Sequence, residues 1–278
     1  MILKNWDMQL LKNNIMTRLI ILLTIFFILS GCKKTEDEQS PPDGNYFPPV
    51  NSQNWESTTP ESLNWDTENL VSLYDYLSTN NTRAFIILKD GKIVIEKYWG
   101  SNALNTASFD QSTVWYWASA GKSLTAFLVG LAQQEGMLNI NNSTSDYLGD
   151  HWTDMTLEKE NLITLKHQLT MTTGLDYEVP NLDCTDPSCL VYKADAGSQW
   201  YYHNAPYTLL EKVVSNASGK TYNNFTDDYL GSKIGMGGTW IPLGYNNLFW
   251  STARDAARFG LLVLKNGSWG SNIIMTDS

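Results

Sequence analysis

The 278-residue sequence has little positive charge, few histidines and few cysteines. It contains 19 Lys and Arg against 29 Asp and Glu, which gives a formal net charge of −10 at pH 7. Because a nucleic-acid-binding surface needs basic side chains opposite the phosphates, this balance argues against that class of protein. The three histidines, His151, His167 and His203, show no H-E-x-x-H or related spacing, so the sequence predicts no metal site.

The sequence also lacks an apolar run of the length expected for a membrane-spanning helix. Its main run, LIILLTIFFIL at 19–29, has 11 residues. A helix of that length measures about 16 Å, whereas the hydrocarbon core of a bilayer is about 30 Å thick. With Arg18 directly before it, the run favours the apolar region of a secretory signal.

The residues after this run, Leu29-Ser30-Gly31-Cys32, resemble a bacterial lipobox. On this interpretation residues 1–31 are a signal peptide, with Met16 as a second candidate start, and Cys32 is lipidated. A plain signal peptide followed by a chance cysteine is the alternative. The lipobox predicts a bacterial lipoprotein that is anchored to the membrane and faces the periplasm or the cell exterior.

Residues 33–60 are polar and proline-rich, a composition that buries too little apolar surface to fold. We therefore expect a lipidated cysteine and flexible tether over 32–60 and a globular domain over 61–278. The two remaining cysteines, Cys184 and Cys189, flank Pro187 in CTDPSC. In an oxidising compartment this spacing favours a small disulfide loop, with two free thiols as the alternative. Two cysteines are too few for a zinc site.

The stretch WYWASAGKSLTAF at 115–127 contains two overlapping motifs. Its GKS matches the end of the phosphate-binding loop G-x-x-x-x-G-K-[ST]. That loop needs a glycine for its tight turn where this chain has Tyr116, which argues against nucleotide binding. The second motif is S-x-x-K, formed by Ser119 and Lys122.

The residues after Ser119 predict a helix that begins at this serine. Apolar side chains recur there at helical spacing: Leu124, Phe127, Leu128 and Leu131. Lys122 would lie one turn further on, on the same face as Ser119. A neutral lysine can take the proton of a serine hydroxyl, and the helix N-terminus offers N–H groups to an oxyanion. The alternative is an ordinary N-cap serine beside a surface lysine.

A Y-x-N motif, Tyr202-His203-Asn204, precedes a second predicted helix that ends at Gly219. Two other matches, at 222–224 and 245–247, are not placed directly before a helix in this way. A Ser-His-Asp triad is another arrangement for a serine nucleophile, but the chain has no G-x-S-x-G elbow.

Together these segments resemble the serine beta-lactamase and penicillin-binding superfamily, nearest to its class C-like esterase and peptidase branch. The resemblance also rests on ITLKHQLTMTTGLDY at 163–177, on residues 249–275 and on residues 83–100. In 83–100, alternating apolar and polar residues flank the turn Asp90-Gly91, which predicts a hairpin. It covers about residues 60–278. It implies an α/β fold of the α+β type, in which an antiparallel sheet is flanked by helices, with a helical subdomain and the site between them.

The resemblance implies a serine hydrolase that acts on an ester, amide or peptide bond through an acyl-enzyme on Ser119. Tyr202 and Lys122 would share the proton transfers, and Asn204 would orient Lys122 and the substrate amide. No metal or organic cofactor is implied. The expected partners are a small-molecule or peptide substrate and the membrane, through Cys32. A non-catalytic binding or sensing lipoprotein on the same scaffold is the alternative.

One part of the superfamily's pattern is missing from the sequence, the third motif K-[ST]-G or H-x-G. Lys265-Asn266-Gly267 does not replace it, because Gly267 is predicted to be the C-cap of a helix. We therefore expect a C-terminally truncated gene product that lacks the C-terminal strands and one oxyanion donor. On that expectation the sheet is reduced to the 83–100 hairpin and the chain as written is inactive.

Overall fold

A computed structural model describes residues 44–276 of the chain. All of them belong to one compact unit, Pro41–Ser278. The signal peptide predicted for 1–31 and the lipidation of Cys32 lie outside the described residues and stay predictions. Within residues 44–276, no helix has both the length and the apolar character needed to span a bilayer.

Most of the described helices are short, and the longest carries the S-x-x-K motif. The α-helices are α1 Leu70–Thr79, α2 Gly121–Gln134, α3 Ser145–Leu148, α4 Leu157–Glu160, α5 Leu165–Leu169, α6 Asn204–Thr208, α7 Leu210–Ser218, α8 Tyr222–Thr226, α9 Ser232–Ile234 and α10 Ala253–Leu264. Tighter 3-10 turns occur at Glu61–Leu63, Ala118–Ala120 and Pro187–Cys189, and a π-helical turn at Asp227–Gly231.

The strands of the described region pair antiparallel in three small sheets. They are β1 Ala84–Lys89, β2 Lys92–Tyr98, β3 Trp115–Tyr116, β4 Thr239–Leu243, β5 Asn246–Ser251, β6 Ser268–Trp269 and β7 Asn272–Ile273. The sheets are β1-β2, β3-β5-β4 and β6-β7. The β1–β2 turn confirms the predicted hairpin, because Asp90 and Gly91 both have positive φ, at 51° and 80°.

The main hydrophobic core is built around α2. Its inward face is fully enclosed, since Leu124, Leu128 and Val129 are 0% exposed. The amphipathic helix α7 packs on it and ends at Gly219, whose φ of 68° is the left-handed cap predicted from the sequence. The combination of helices and antiparallel sheets confirms the predicted fold class.

The N-terminal part of the described region is packed, in contrast to the flexible tether predicted for 32–60. The Tyr46 N–H donates to the Asp90 carbonyl at 2.9 Å, and Trp55 packs against the main core. Arg258 on α10 is only 2% exposed and donates to the carbonyls of Pro48, Pro49 and Ser52. A buried guanidinium needs acceptors, and this segment supplies them without any apolar periodicity. The folded domain therefore begins before Glu61.

The described sheets extend beyond the hairpin expected from the sequence. Strand β5 pairs with both β3 and β4. The 272–276 segment starts with strand β7. On α10, Phe259 is enclosed by Trp117 and Phe127, whereas Val263 is 52% exposed.

Candidate active site

Ser119 and Lys122 lie where β3 passes into α2, as the sequence predicts. Ser119 is in the 3-10 turn Ala118–Ala120, and Lys122 is in the first turn of α2. Lys122 Nζ donates to Ser119 Oγ at 3.4 Å. Trp117, just before the turn, donates its N–H to the Phe249 carbonyl at 2.8 Å, which fixes the serine loop to β5.

Tyr202 faces this pair from the loop that precedes α6. Lys122 Nζ lies 4.9 Å from the centroid of the Tyr202 ring. Burial alone would raise the pKa of the Tyr202 phenol, but hydrogen bonding to Ser119 and Lys122, together with the lysine charge, holds this pKa below its usual value. A lowered pKa increases the fraction of Tyr202 present as phenolate, which is the form that accepts a proton.

A tyrosine that the sequence analysis did not single out joins the two motif-bearing helices. Tyr207 on α6 donates its hydroxyl to the Lys122 backbone carbonyl at 2.9 Å. Burial raises the pKa of Tyr207 to about 12, so its proton is retained. This bond sets the position of the Y-x-N motif relative to the S-x-x-K motif.

Asn204 lies beside the serine–lysine pair, but its contacts differ from those predicted. Its Nδ2 donates to Asp183 Oδ1 at 2.7 Å, and within residues 44–276 it makes no hydrogen bond to Lys122. The carboxylate of Asp183 is a strong charged acceptor, which accounts for this preference. Asn204 Oδ1 is buried and has no partner among the described residues. The role predicted for Asn204 as an orienter of Lys122 is therefore not reproduced.

A disulfide closes the short loop directly after Asp183. Cys184 and Cys189 are bonded in the structure, with their Cα atoms 5.9 Å apart. Between them, Asp186 Oδ2 accepts a hydrogen bond from the Tyr245 hydroxyl at 2.6 Å. The disulfide loop thus contacts the turn between β4 and β5, and the residue just before the loop contacts Asn204.

Three motif residues, Ser119, Lys122 and Asn204, line one cavity of about 200 Å³ between α2, α6, α7, β4 and β5, whereas Tyr202 is not part of its wall. Residues that contribute to its wall include Ser119, Lys122, Asn204, Tyr207, Glu211 and Asn247. Glu211 and Asn247 were not identified from the sequence. Glu211 could have been found from its spacing, because it lies seven residues after Asn204 and positions seven apart share one face of the helix predicted after the Y-x-N motif. Asn247 belongs to another Y-x-N match and lies in β5.

The histidines do not contribute to this cavity wall. His203 is 3% exposed, and burial lowers its pKa, against the opposing charges of Asp176 and Asp183. Its Nε2 is buried without a partner in the described region. Among residues 44–276, no group of three or more His, Cys, Asp or Glu side chains is arranged to hold a metal ion.

A serine–lysine pair at the start of a buried helix, faced by a tyrosine, lies between helices and an antiparallel sheet, as the resemblance to the serine beta-lactamase and penicillin-binding superfamily implies. Residues 81–271 match the family model described as "Beta-lactamase". This match covers more than half of the chain, so the protein belongs to the beta-lactamase family. Membership supports serine hydrolase activity in general terms.

Individual relatives are distant. "Putative penicillin-binding protein PbpX" of Bacillus subtilis is 24% identical over 159 residues, which cover 54% of this chain and 39% of that protein. The chain therefore spans well under two thirds of this relative.

Two solved structures share the fold at low sequence identity. "Putative 6-aminohexanoate-dimer hydrolase" from Bacillus anthracis has a TM-score of 0.63 and 19% identity, covering 85% of this chain and 67% of that chain. EstCE1, "a hydrolase with promiscuous acyltransferase activity", has a TM-score of 0.57 and 12% identity, covering 75% of each chain.

Proposed function

We propose that this protein hydrolyses an ester, amide or peptide bond through an acyl-enzyme intermediate on Ser119. The inactivity expected above for the chain as written is the competing outcome, which the labelling and turnover experiments below test. The observation that carries the proposal is the Lys122 Nζ to Ser119 Oγ contact of 3.4 Å on the wall of a cavity. A surface lysine beside an N-cap serine would explain the spacing but not the tyrosine packed over the lysine. The two structures of similar fold are both named as hydrolases, which supports hydrolysis in general.

The lowered pKa of Tyr202 favours its phenol as the general base for the first step. Lys122 Nζ donates to Ser119 Oγ and would stabilise negative charge that develops on this oxygen. Ser119 Oγ would attack the carbonyl carbon while its proton passes to the Tyr202 phenolate oxygen. The oxyanion would accept a hydrogen bond from the Ser119 backbone N–H, which lies in the turn directly before α2.

Collapse of the tetrahedral species would break the bond to the leaving alcohol or amine, which takes the proton from Tyr202. A water molecule, deprotonated by the same phenolate, would then attack the acyl carbon. The bond from this carbon to Ser119 Oγ would break, and Oγ would take back the proton from Tyr202. Asn204 Oδ1 is an unpartnered, buried acceptor on the cavity wall, which suits an N–H group of the substrate. The cavity volume of about 200 Å³ favours a small acyl group.

The test is labelling with a fluorescent fluorophosphonate, which reacts with activated serines. We expect labelling of the wild type, and its loss in Ser119→Ala. Ser123→Ala is a matched control, because Ser123 is an exposed serine one turn further along α2. Labelling that persists in Ser119→Ala would refute the assignment of the nucleophile.

A further inference from the structure

The cavity wall contains a carboxylate that the reaction above does not use. Glu211 lies in the first turn of α7 and lines the same cavity as Ser119. Its Oε2 accepts a hydrogen bond from Asn247 Nδ2 on β5, at 2.7 Å. Burial raises the pKa of Glu211, and the bond from Asn247 opposes that effect.

No cation neutralises this carboxylate within the described residues. None of the ion pairs there includes Glu211, and Asn247 is the partner of its side chain. Lys122 is the basic residue on the cavity wall, but its Nζ is directed to Ser119 Oγ and to the Tyr202 ring. A partly enclosed carboxylate without a counter-charge is unfavourable unless it takes up a proton or a ligand supplies the charge.

The amide next to Glu211 presents a second acceptor. Asn247 Oδ1 is buried and has no hydrogen-bond partner in residues 44–276, since the Nδ2 of the same amide is used by Glu211. A buried polar atom that lacks a partner is uncommon and costs free energy. The two side chains therefore leave unfilled acceptor positions beside the cavity, and these positions call for hydrogen-bond donors on a ligand.

We propose that Glu211 and Asn247 form a subsite that binds a primary ammonium group of the substrate. An ammonium group has three N–H donors and a positive charge, so it matches a carboxylate and an amide oxygen together. The preferred substrates would then be aminoacyl esters or amides rather than their uncharged analogues. This inference rests on the proposed hydrolase function and specifies its substrate class.

The experiment compares two p-nitrophenyl esters of the same shape, β-alanyl and butyryl, which differ by an ammonium in place of a methyl group. The wild type should show the higher kcat/KM on the β-alanyl ester. Glu211→Gln should reduce the β-alanyl to butyryl ratio of kcat/KM by about 10–100-fold, the scale of one charge-assisted contact. Glu135→Gln is the matched control, because Glu135 is an exposed acid at the far end of α2 and should leave the ratio unchanged.

A measurement on the wild type alone guards against a variant that fails to fold. Propylammonium should inhibit butyryl ester hydrolysis competitively at lower concentrations than 1-propanol. Equal ratios in wild type and Glu211→Gln, or equal inhibition by the two compounds, would overturn the ammonium subsite while leaving the hydrolase intact. No turnover of either ester, together with no fluorophosphonate labelling of Ser119, would overturn both proposals.

Discussion

Replacing Arg258 by methionine tests whether the N-terminal segment is held to the domain by one buried guanidinium. Methionine keeps much of the side-chain length but removes the charge and all the donors. In the structure Arg258 donates to Ile234 at 2.7 Å, Ser52 at 2.9 Å, Pro49 at 3.1 Å and Pro48 at 3.3 Å. These acceptors are all backbone carbonyls, and three of them belong to the N-terminal segment.

The loss of stability in Arg258→Met depends on the carbonyl groups that no longer have a hydrogen-bond donor. Hydrogen bonds to a charged group contribute about 1.5–3 kcal/mol each, but the variant no longer has to bury a cation. The carbonyls that lose their donor are left unpaired, at about 1–3 kcal/mol for each buried one, so we expect a net loss of about 3–5 kcal/mol in the free energy of unfolding. The stacking of the guanidinium on Trp55, at 5.4 Å, is lost as well. In a domain of this size, we expect the melting temperature to fall by roughly 6–20 °C.

Two assays separate this effect from a general loss of stability. Thermal unfolding gives the change in melting temperature, and chymotrypsin reports on cleavage at Trp55, whose indole N–H donates to the Gly91 carbonyl at 2.7 Å. Arg258→Met should be cut at Trp55 under native conditions, whereas the wild type resists. Lys233→Met is the control, since this exposed lysine neighbours Ile234 on α9. If Arg258→Met has the melting temperature and the chymotrypsin resistance of the wild type, Arg258 does not hold the N-terminal segment to the domain.

Two other predictions concern Tyr202 and the ion pair between Glu96 and Arg254. Tyr202→Phe should slow acylation by about 10²–10⁴-fold, the usual scale for a lost general base. In the wild type, kcat/KM should rise with pH at values below the usual pKa range of tyrosine, and the variant should lose this rise. A rise that survives in the variant would contradict the role of Tyr202 as the base. Glu96→Gln should cost about 1.5–3 kcal/mol at pH 7, because Arg254 binds this carboxylate at 2.7 and 2.8 Å. Burial would raise the pKa of Glu96, but the bonds from Arg254 and Tyr98 and the arginine charge lower it below its usual value. The stabilisation by this pair is therefore present above the unfolded-state Glu96 pKa of about 4.3, and it is lost as the pH falls through the lower pKa of the folded state. In urea unfolding, the difference in unfolding free energy between wild type and variant should therefore shrink below about pH 4.

Local sequence signals predicted the elements that depend on local chemistry. The Asp90-Gly91 turn, the apolar face of α2 and the glycine cap of α7 are each specified by residues close together in the chain. The same holds for the Ser119–Lys122 pair, since a spacing of three in a helix brings two side chains to one face. These features needed no knowledge of the rest of the fold.

Long-range contacts were the features that the sequence left open. The packed segment before Glu61 depends on Arg258, about two hundred residues away, and its prolines look like a tether in isolation. Asn247 reaches the cavity because β5 pairs with β3, and Asp183 reaches Asn204 from a loop 21 residues earlier. Such partners have no periodicity that links them, so only the folded chain shows that they belong to one site.

The backbone at Ala118 shows how the fold places the nucleophile at some energetic cost. Ala118 has a φ of 44°, a left-handed conformation that costs an alanine about 1–2 kcal/mol and that no residue type in WASAGK signals. The residue is fixed from both sides. On one side the Trp117 N–H is bound to Phe249, and the Trp117 indole donates to Ser251 at 2.8 Å. On the other side α2 is anchored by its fully buried apolar face. Because neither anchor can move without losing buried contacts, the strain falls on the residue between them, and we infer that it is tolerated because it holds Ser119 against the cavity.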